Sequence, residues 1–232
     1  MATLLLRCGA PLQSWGSSSY YDRRETDSMP TKSGVIGILA AALGRRRDES
    51  VEDLNALHFG VRIDIPGRRQ NDFQTTKMGK GLNSNISTRV YLSDALFLVG
   101  LSCKDREFLG QLNDAINNPC FPLFLGRRSC PPTQPFNLGI RELDLYDALY
   151  NEPWLAAEWR REELFRFNSE LTLRIVVDGS EGDAALKKDV PVSFSPYKRQ
   201  YRYRYVREMP AKVITRDPSA EFAEHDPMRE LG

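Results

Sequence analysis

Histidine is scarce in this sequence, which has only His58 and His225 among its 232 residues. Histidine is the side chain most often used for general acid–base catalysis. His58 stands among apolar residues, which predicts a partly buried structural role, and His225 stands in an acidic segment near the C-terminus. No cluster of Asp, Glu and His has the spacing of a metal site, and no Gly-x-Ser-x-Gly element is present. We therefore expect no metal, no cofactor and no catalytic residue.

Cysteine and long apolar runs are also scarce. The four cysteines, Cys8, Cys103, Cys120 and Cys130, form no Cys-x-x-Cys pair and have no metal-type spacing. No stretch approaches the ~20 apolar residues that a membrane span needs, and the N-terminal segment is too short and too soon interrupted for a signal peptide. These absences predict reduced thiols in a cytoplasmic protein with no membrane partner.

Charge is balanced overall but unevenly distributed. The net charge is +1, which argues neither for nor against a nucleic-acid partner. Basic residues dominate segments 1–47, 118–141 and 195–207, whereas acids gather at 48–53, 142–183 and after 207. The sequence has 24 arginines and eight lysines. A guanidinium group can both pair with phosphate oxygens and stack on bases, although a GC-rich genome would give the same bias.

Hydrophobic periodicity predicts an α+β protein that begins with a β-α-β-β-α-β succession, the ferredoxin-like pattern shared with RNA-recognition modules. The predicted strands cover residues 2–8, 59–65, 95–103 and 121–125, and the predicted helices cover 33–43, 50–57 and 106–117. Residues 66–94 are too long for an ordinary connection and predict an inserted β-hairpin. Its middle, residues 77–85, is basic and punctuated by glycine, which indicates an exposed position.

The chain changes character after Arg141, which predicts a ferredoxin-like domain at 1–141 followed by a smaller β-rich region at 142–207. That region is helical at first and then has strands at 170–177, 190–194 and 199–206. In the last of these, tyrosines alternate with arginines. This alternation predicts that the strand presents an exposed face of an ordinary sheet, and a surface that faces RNA is the alternative. Residues 208–232 are acidic and interrupted by proline, which predicts a loosely held tail.

The segment 10–47 carries the strongest functional signal. It contains Ala-Pro-Leu-Gln-Ser-Trp-Gly, then two arginines, then Pro-Thr-Lys-Ser-Gly-Val-Ile-Gly. A helix that starts at Lys32-Ser33-Gly34 offers free backbone N–H groups and the positive end of its dipole to an anion. A well-capped helix without a ligand is the alternative. A P-loop is excluded, because no glycine stands at the required spacing before Lys32.

These motifs resemble the CasD family, the "Cas five" subunit of type I-E CRISPR Cascade in the RAMP superfamily. Two further stretches agree with the resemblance: Thr-Arg-Val-Tyr-Leu-Ser-Asp-Ala from Thr88, and Leu-Gly-Arg-Arg-Ser-Cys-Pro-Pro from Leu125. The similarity covers most of residues 2–135 and is weak beyond Arg141.

The resemblance implies a ferredoxin-like domain whose insertion, at about 66–94, is a thumb. It also implies a non-catalytic subunit that binds the 5′ handle of the CRISPR RNA (crRNA) and caps the backbone filament in antiviral defence. The implied partners are the crRNA, a backbone subunit of the CasC family, a large subunit of the CasA family, and target DNA near the complex.

Two adjacent arginines, Arg127 and Arg128, stand between a turn glycine and two prolines, so they are predicted to lie on a stiff loop able to meet phosphates or splayed bases. A solvated arginine pair is the alternative. Trp15 is predicted either to stack on a base or to lie in the core. The complete set of predicted RNA-binding residues is Gln13, Ser14, Trp15, Arg23, Arg24, Lys32, Ser33, Gly34, Arg45, Arg46, Lys77, Lys80, Thr88, Arg89, Arg127, Arg128 and Ser129.

Two rival functions belong to other classes. A relative in another subtype cleaves repeat RNA without a metal, so a metal-independent endoribonuclease is the first alternative. Such cleavage needs an acid and a base, for which Tyr20, Tyr21 and Lys32 are conceivable candidates. The second alternative is a purely structural subunit that touches only protein.

Overall fold

A computed structural model describes residues 1–16, 23–77, 84–182, 185–195 and 197–216 of the chain. Its strands are β1 Ala2–Gly9, β2 Leu12–Gln13, β3 Arg23–Arg24, β4 His58–Ile65, β5 Arg68–Lys77, β6 Ser84–Ser93, β7 Leu96–Cys103, β8 Asn137–Arg141, β9 Glu170–Asp178, β10 Ala185–Ser193 and β11 Gln200–Thr215. Its helices are α1 Lys32–Ala42, α2 Glu52–Asn55, α3 Arg106–Asn117, α4 Leu145–Asn151 and α5 Glu158–Phe165.

Seven strands form one antiparallel sheet in the order β10-β11-β9-β4-β7-β1-β8. Alternate side chains of β1 point to opposite faces, as strand geometry requires. Leu4 and Leu6 pack with α1 and α3 in the main core, whereas Leu5 packs with α4 on the other face. Helices therefore cover both faces of the sheet.

A second, smaller sheet stands beside the first. The hairpin β5–β6 pairs over ten residue pairs, from Arg68 with Ser93 to Lys77 with Ser84. Two short strands, β2 and β3, pair with β6 and connect this hairpin to the segment that precedes α1. The predicted middle of the insertion lies mostly at residues 78–83, which are outside the described residues.

The predicted first strand, the helix at 106–117 and the strands at 59–65 and 95–103 are confirmed to within a residue or two. The helix predicted at 50–57 is shorter, at Glu52–Asn55. The strand predicted at 121–125 is wrong: the strand that pairs with β1 is β8. The backbone N–H groups of Cys120 and Phe121 instead donate to the carbonyls of Ala42 and Ala41 at the end of α1.

The C-terminal strands extend the main sheet. β9 pairs with β4 through Gly60–Arg62, and β11 pairs with both β9 and β10. The tail predicted from residue 208 is partly wrong, because β11 continues to Thr215; residues 217–232 lie outside the described ranges. None of the described helices has the length and apolar character to cross a membrane.

Candidate nucleic-acid interface

A broad groove of about 880 Å³ opens between α1, the loop that follows it, the loop around Gly126 and the start of β11. Its floor is the face of α1 that carries Gly34, Gly37 and Ala41. Seven arginines line it: Arg24, Arg45, Arg46, Arg47, Arg127, Arg128 and Arg199. Four separate segments of the chain contribute these arginines, so the fold concentrates a charge that is dispersed in the sequence.

Among the residues that the structure describes, the lining of the groove holds little negative charge to offset these arginines. Its acidic residue, Glu25, forms ion pairs with Arg23 and Arg69, which lie outside the groove. Arg45 donates to both carboxylate oxygens of Asp53, and this bonding lowers the pKa of Asp53 below its ordinary value. Most of the remaining guanidinium groups therefore carry positive charge that no acidic residue of the described lining offsets.

Five of the seven arginines are exposed, and their side chains have no hydrogen bond or ion pair with any described residue: Arg24, Arg46, Arg47, Arg128 and Arg199. An unpaired guanidinium group can form bidentate bonds with phosphate without first breaking an internal bond. The groove is consequently suited to a flexible polyanion.

The loop that carries Arg127 and Arg128 is tightly tied to the segment before α1. Ser14 N donates to Leu125 O at 3.1 Å, and Leu125 N donates to Cys130 O at 2.8 Å. Gly126 has a φ of +87°, and a Cβ at this position would lie 1.5 Å from Ser14 O. Only glycine fits there. The two arginines therefore stand on a loop that is fixed to the segment before α1 by hydrogen bonds and close packing.

Arg127 and Arg128 differ in their surroundings. The guanidinium group of Arg127 lies 4.3 Å from the ring centroid of Tyr91, and its Nη2 donates to Arg24 O at 3.0 Å. Its Nη1 is buried without a hydrogen-bond partner among the described residues. Arg128 is exposed. Arg127 is thus held against β6, and Arg128 is the more accessible of the two.

Aromatic side chains border the same groove. Phe121 and Phe124 stand on one side, and Phe194 and Tyr201 stand on the other. Phe121 is 44% exposed, which is high for a large apolar residue. Aromatic rings beside cationic groups are the arrangement on which single-stranded nucleic acids stack.

The prediction that Gln13 and Trp15 touch bases is wrong for this structure. Trp15 is 1% exposed and packs against Gly34, where a Cβ would lie 2.8 Å from the ring. Its indole N–H donates to Gln13 Oε1 at 3.1 Å, and Gln13 Nε2 donates to Ala95 O at 2.7 Å. Both side chains are therefore buried structural parts of the loop. For Trp15 this agrees with the alternative prediction, a position in the core.

The predicted anion site at the start of α1 is already occupied by the protein itself. Lys32 N donates to Asp189 Oδ2 at 3.0 Å, and Thr31 Oγ1 accepts from Gly34 N at 3.2 Å. Lys32 is 5% exposed, and its ammonium group bonds to Asp178 and to Leu57 O. A buried carboxylate thus takes the place predicted for a phosphate. The predictions for Lys32 and for the helix terminus are wrong, and Ser33 and Gly34 remain only as groove-lining residues.

The remaining predicted residues lie around the hairpin and the arginine loop. Arg23 is exposed and pairs with Glu25, and β3 runs parallel to β6 at Thr88 and Arg89. The Arg89 side chain is half-buried, and its Nε has no partner among the described residues. Ser129 is exposed beside Cys130. Lys77 ends β5, and Lys80 lies outside the described residues. None of these residues lines the groove.

The predicted set lacks six arginine and aromatic residues that line the groove: Arg47, Phe121, Phe124, Phe194, Arg199 and Tyr201. The alternation of arginine and tyrosine after residue 199 is the signal that points to Arg199 and Tyr201, since an RNA-facing surface is the alternative prediction for this strand. Arg204 from the same strand is instead 9% exposed in its side chain and bonded to two carboxylates.

The described lining of the groove includes Tyr201 but no histidine. His58 is exposed at the first position of β4, so its predicted partial burial is wrong. Tyr20, Tyr21 and His225 lie outside the described ranges. The four cysteines are free, and Cys8 and Cys130 are buried. Within the described residues, no three His, Cys, Asp or Glu side chains come together as a metal site.

The fold and the groove together define an α+β protein with a cationic, aromatic-bordered cleft. Comparison with known families gives the assignment: the chain belongs to the family described as CRISPR-associated protein (Cas_Cas5), whose model matches residues 3–207. The Escherichia coli (strain K12) protein named CRISPR system Cascade subunit CasD is 36% identical over 156 residues, which cover 59% of this chain and 70% of that protein.

Two solved structures are similar over nearly the whole chain. A chain of a CRISPR RNA-guided surveillance complex superimposes with a TM-score of 0.75 at 28% identity, covering 92% of this chain and 91% of that chain. A crystal structure of a Cas protein gives a TM-score of 0.68 at 39% identity, covering 89% and 93% respectively. The resemblance inferred from the motifs is thereby confirmed at the level of the family.

Proposed function

We propose that this chain is a non-catalytic crRNA-binding subunit of a type I-E Cascade complex. In this role it grips the 5′ handle of the guide RNA and caps the backbone filament, beside subunits of the CasC and CasA families and near the target DNA. The similarity to a protein named as a Cascade subunit and to a chain of an RNA-guided surveillance complex supports the assignment. The groove supplies the physical reason.

One observation carries the proposal: seven arginines from four segments converge on a single groove, and five of them are exposed without a protein partner in the described chain. Electrostatic contact with phosphates dominates the affinity of proteins for nucleic acids. Aromatic residues on both sides add stacking surfaces, which favours single-stranded RNA over a duplex.

The succession β1-α1-β4-β7-α3-β8 supports a ferredoxin-like domain, since it follows the β-α-β-β-α-β pattern. The long β5–β6 hairpin between β4 and β7 stands where the thumb is expected. Its base adjoins the groove, because Tyr91 of β6 packs under Arg127 and β3 supplies Arg24. The handle would then lie between the hairpin and α1.

The decisive experiment compares two double variants that remove equal charge. Arg128→Ala with Arg199→Ala takes one exposed guanidinium from each side of the groove, whereas Arg166→Ala with Arg207→Ala removes two exposed arginines that do not line it. Binding of the purified chain to single-stranded RNA carrying the handle sequence is measured against salt concentration. We expect the groove variant alone to lose affinity, and its log–log salt slope to fall by about 1.4, since each phosphate contact on a single strand contributes about 0.7.

Equal slopes for the two double variants would overturn the groove as the RNA site. The same reactions, run in EDTA and resolved on a denaturing gel, separate the alternatives. Intact RNA agrees with a binding subunit, and discrete cleavage products would establish the metal-independent endoribonuclease. A wild-type chain that binds no RNA and forms no crosslink to the handle within the assembled complex would favour the purely structural subunit.

A further inference from the structure

A buried network of four charged side chains connects the start of α1 to the three C-terminal strands. Arg204 of β11 donates to Asp189 of β10 at 2.7 and 3.0 Å and to Asp178 of β9 at 2.6 Å. Lys32 of α1 bonds to Asp178 at 3.1 Å. We define these four residues as the charge quartet. It contains two cations and two anions and is therefore neutral.

The quartet is largely shielded from water, since its most accessible member, Asp178, has 18% of its side chain exposed. Each of its four carboxylate oxygens accepts at least one hydrogen bond. The side chain of Asp189 is inaccessible, and those of Lys32 and Arg204 are 7% and 9% exposed. Asp189 also accepts from the backbone of Lys32, so its carboxylate caps the positive end of the α1 dipole. Asp178 accepts from the backbone of Phe59, which connects β4 to the same network.

Networks of this kind are poor sources of net stability, because desolvation offsets most of the attraction. Their directional hydrogen bonds instead restrict the relative positions of the helix and strands that they connect. Arg204 has the planar fork needed to hold two carboxylates at once. The quartet therefore sets the position of the β10–β11 hairpin relative to α1.

That hairpin forms one wall of the arginine groove. Phe194 follows β10 and reaches α1, since a Cβ at Gly37 would lie 3.8 Å from its ring. Arg199 and Tyr201 stand at the start of β11, and Tyr201 pairs with Pro191, two positions from Asp189. The opposite wall, which includes Phe121 and Arg128, is attached to the end of α1 and to Ser14. The hydrogen bonds of the quartet reach none of the described residues of that wall.

We infer that Lys32, Asp178, Asp189 and Arg204 are positioning residues for RNA binding, which hold the β11 wall of the groove in place without touching the RNA. This inference rests on the proposed function of the groove. It also gives the C-terminal strands a role in recognition: they complete a site whose other wall and floor come from the first 141 residues.

The test compares the two walls separately in the full chain. A photo-crosslinking benzoylphenylalanine is placed at Tyr201 or at Phe121, and crosslinking to handle RNA is measured with and without Asp189→Asn. We expect the yield at position 201 to fall at least about fivefold and the yield at position 121 to stay within about twofold, since a site loses binding when its supporting groups are displaced. Glu208→Gln is the control, because it breaks an exposed β9–β11 ion pair with Arg174.

A second variant covers the case in which Asp189→Asn fails to fold. Arg204→Lys keeps the charge but loses the fork that spans two carboxylates, so we expect the same selective loss at position 201 with smaller size. Equal losses at both positions, or no loss at either in a folded variant, would overturn the positioning role. Absence of crosslinks from both positions in the otherwise unaltered chain would instead refute the proposed function of the groove.

Discussion

Gly126 shows how a single position determines the geometry of the arginine loop. Its backbone lies against Ser14 so closely that a Cβ would overlap the carbonyl oxygen, and its φ of +87° is unfavourable for other residues. The contact fixes the loop on the segment before α1. Arg127 then completes the attachment through Tyr91 and the carbonyl of Arg24. The accessible arginine, Arg128, is therefore presented from a rigid base.

Gly126→Ala is expected to lower the free energy of unfolding by roughly 3 kcal/mol, because it adds a steric overlap to an unfavourable backbone conformation. RNA affinity should fall as well, since the loop must move away from Ser14. Gly139→Ala is the matched control: Gly139 also has a positive φ, of +81°, but a Cβ there would lie 3.8 Å from its nearest neighbour, Nη1 of Arg141. Denaturant unfolding and RNA titration measure both effects. A Gly126 variant as stable as the Gly139 variant would contradict the steric argument.

Sequence patterns identified the arginine loop and seven further residues that line the groove, but they could not separate exposed from buried residues in the segment before α1. Trp15 and Lys32 belong to types that bind RNA on surfaces, and here one fills the core and the other neutralises Asp178. The partner of Lys32 lies 146 positions away along the chain. Such pairing depends on tertiary structure, and no local pattern predicts it.

At the scale of elements, local patterns predicted strands and helices well where periodicity was strong and failed where a short apolar run had another role. Residues 121–125 have the composition of a strand, yet Pro122 interrupts them and Phe121 lines the groove. The backbone N–H groups of Cys120 and Phe121 donate to carbonyls at the end of α1, and that of Leu125 donates to Cys130 O in the loop that carries Arg127 and Arg128. The strand that completes the central sheet, β8, contains Gly139 and gave no clear signal.

The short helix α2 and the loop before it are connected by the pair Arg45–Asp53, which gives a prediction about pH. Bonding to Arg45 lowers the pKa of Asp53 in the folded protein, so the charged pair stabilises the fold above the unfolded pKa of about 3.9. This contribution is lost as the pH falls through the lower, folded pKa. We expect the stability advantage of wild type over Asp53→Asn to be present near pH 6 and to shrink progressively below about pH 4. Because the pair is partly exposed, the difference should be under about 1 kcal/mol.

Urea unfolding of both proteins at several pH values measures this difference, and NMR titration of the Asp53 carboxyl measures its pKa directly. In Arg45→Ala the pKa should return upward toward that of an ordinary aspartate, since the donor that lowers it is gone. A stability difference that stays constant with pH would show that the pair contributes nothing to folding.

At the scale of the whole molecule, the change of composition after Arg141 does not coincide with a break in the sheet. β9 pairs with β4, and α4 packs on the sheet so closely that a Cβ at Gly60 or Gly100 would lie under 3 Å from leucines of α4. Arg62 of β4 is fully buried and donates to the carbonyls of Leu149, Glu152 and Pro153. Residues 1–141 alone would therefore leave one apolar face of the sheet uncovered. They would also leave the guanidinium group of Arg62 without its three carbonyl acceptors.

A fragment of residues 1–141 is therefore expected not to fold cooperatively. Removing the later residues uncovers Leu5 and Leu98, which pack with α4 and β9, and it leaves Arg62 and Asp64 without the carbonyl and amide partners that satisfy them. Leaving this apolar face in water forgoes about 25 cal/mol for each Å² of apolar surface, a large loss against the ~5–15 kcal/mol that stabilises a typical domain. Urea unfolding of the fragment should show no sharp transition, whereas the full chain should show one. A fragment that unfolds cooperatively, with a slope appropriate to its buried surface, would mean that the central strands and α1 and α3 suffice, and that the C-terminal strands only add to a domain already complete.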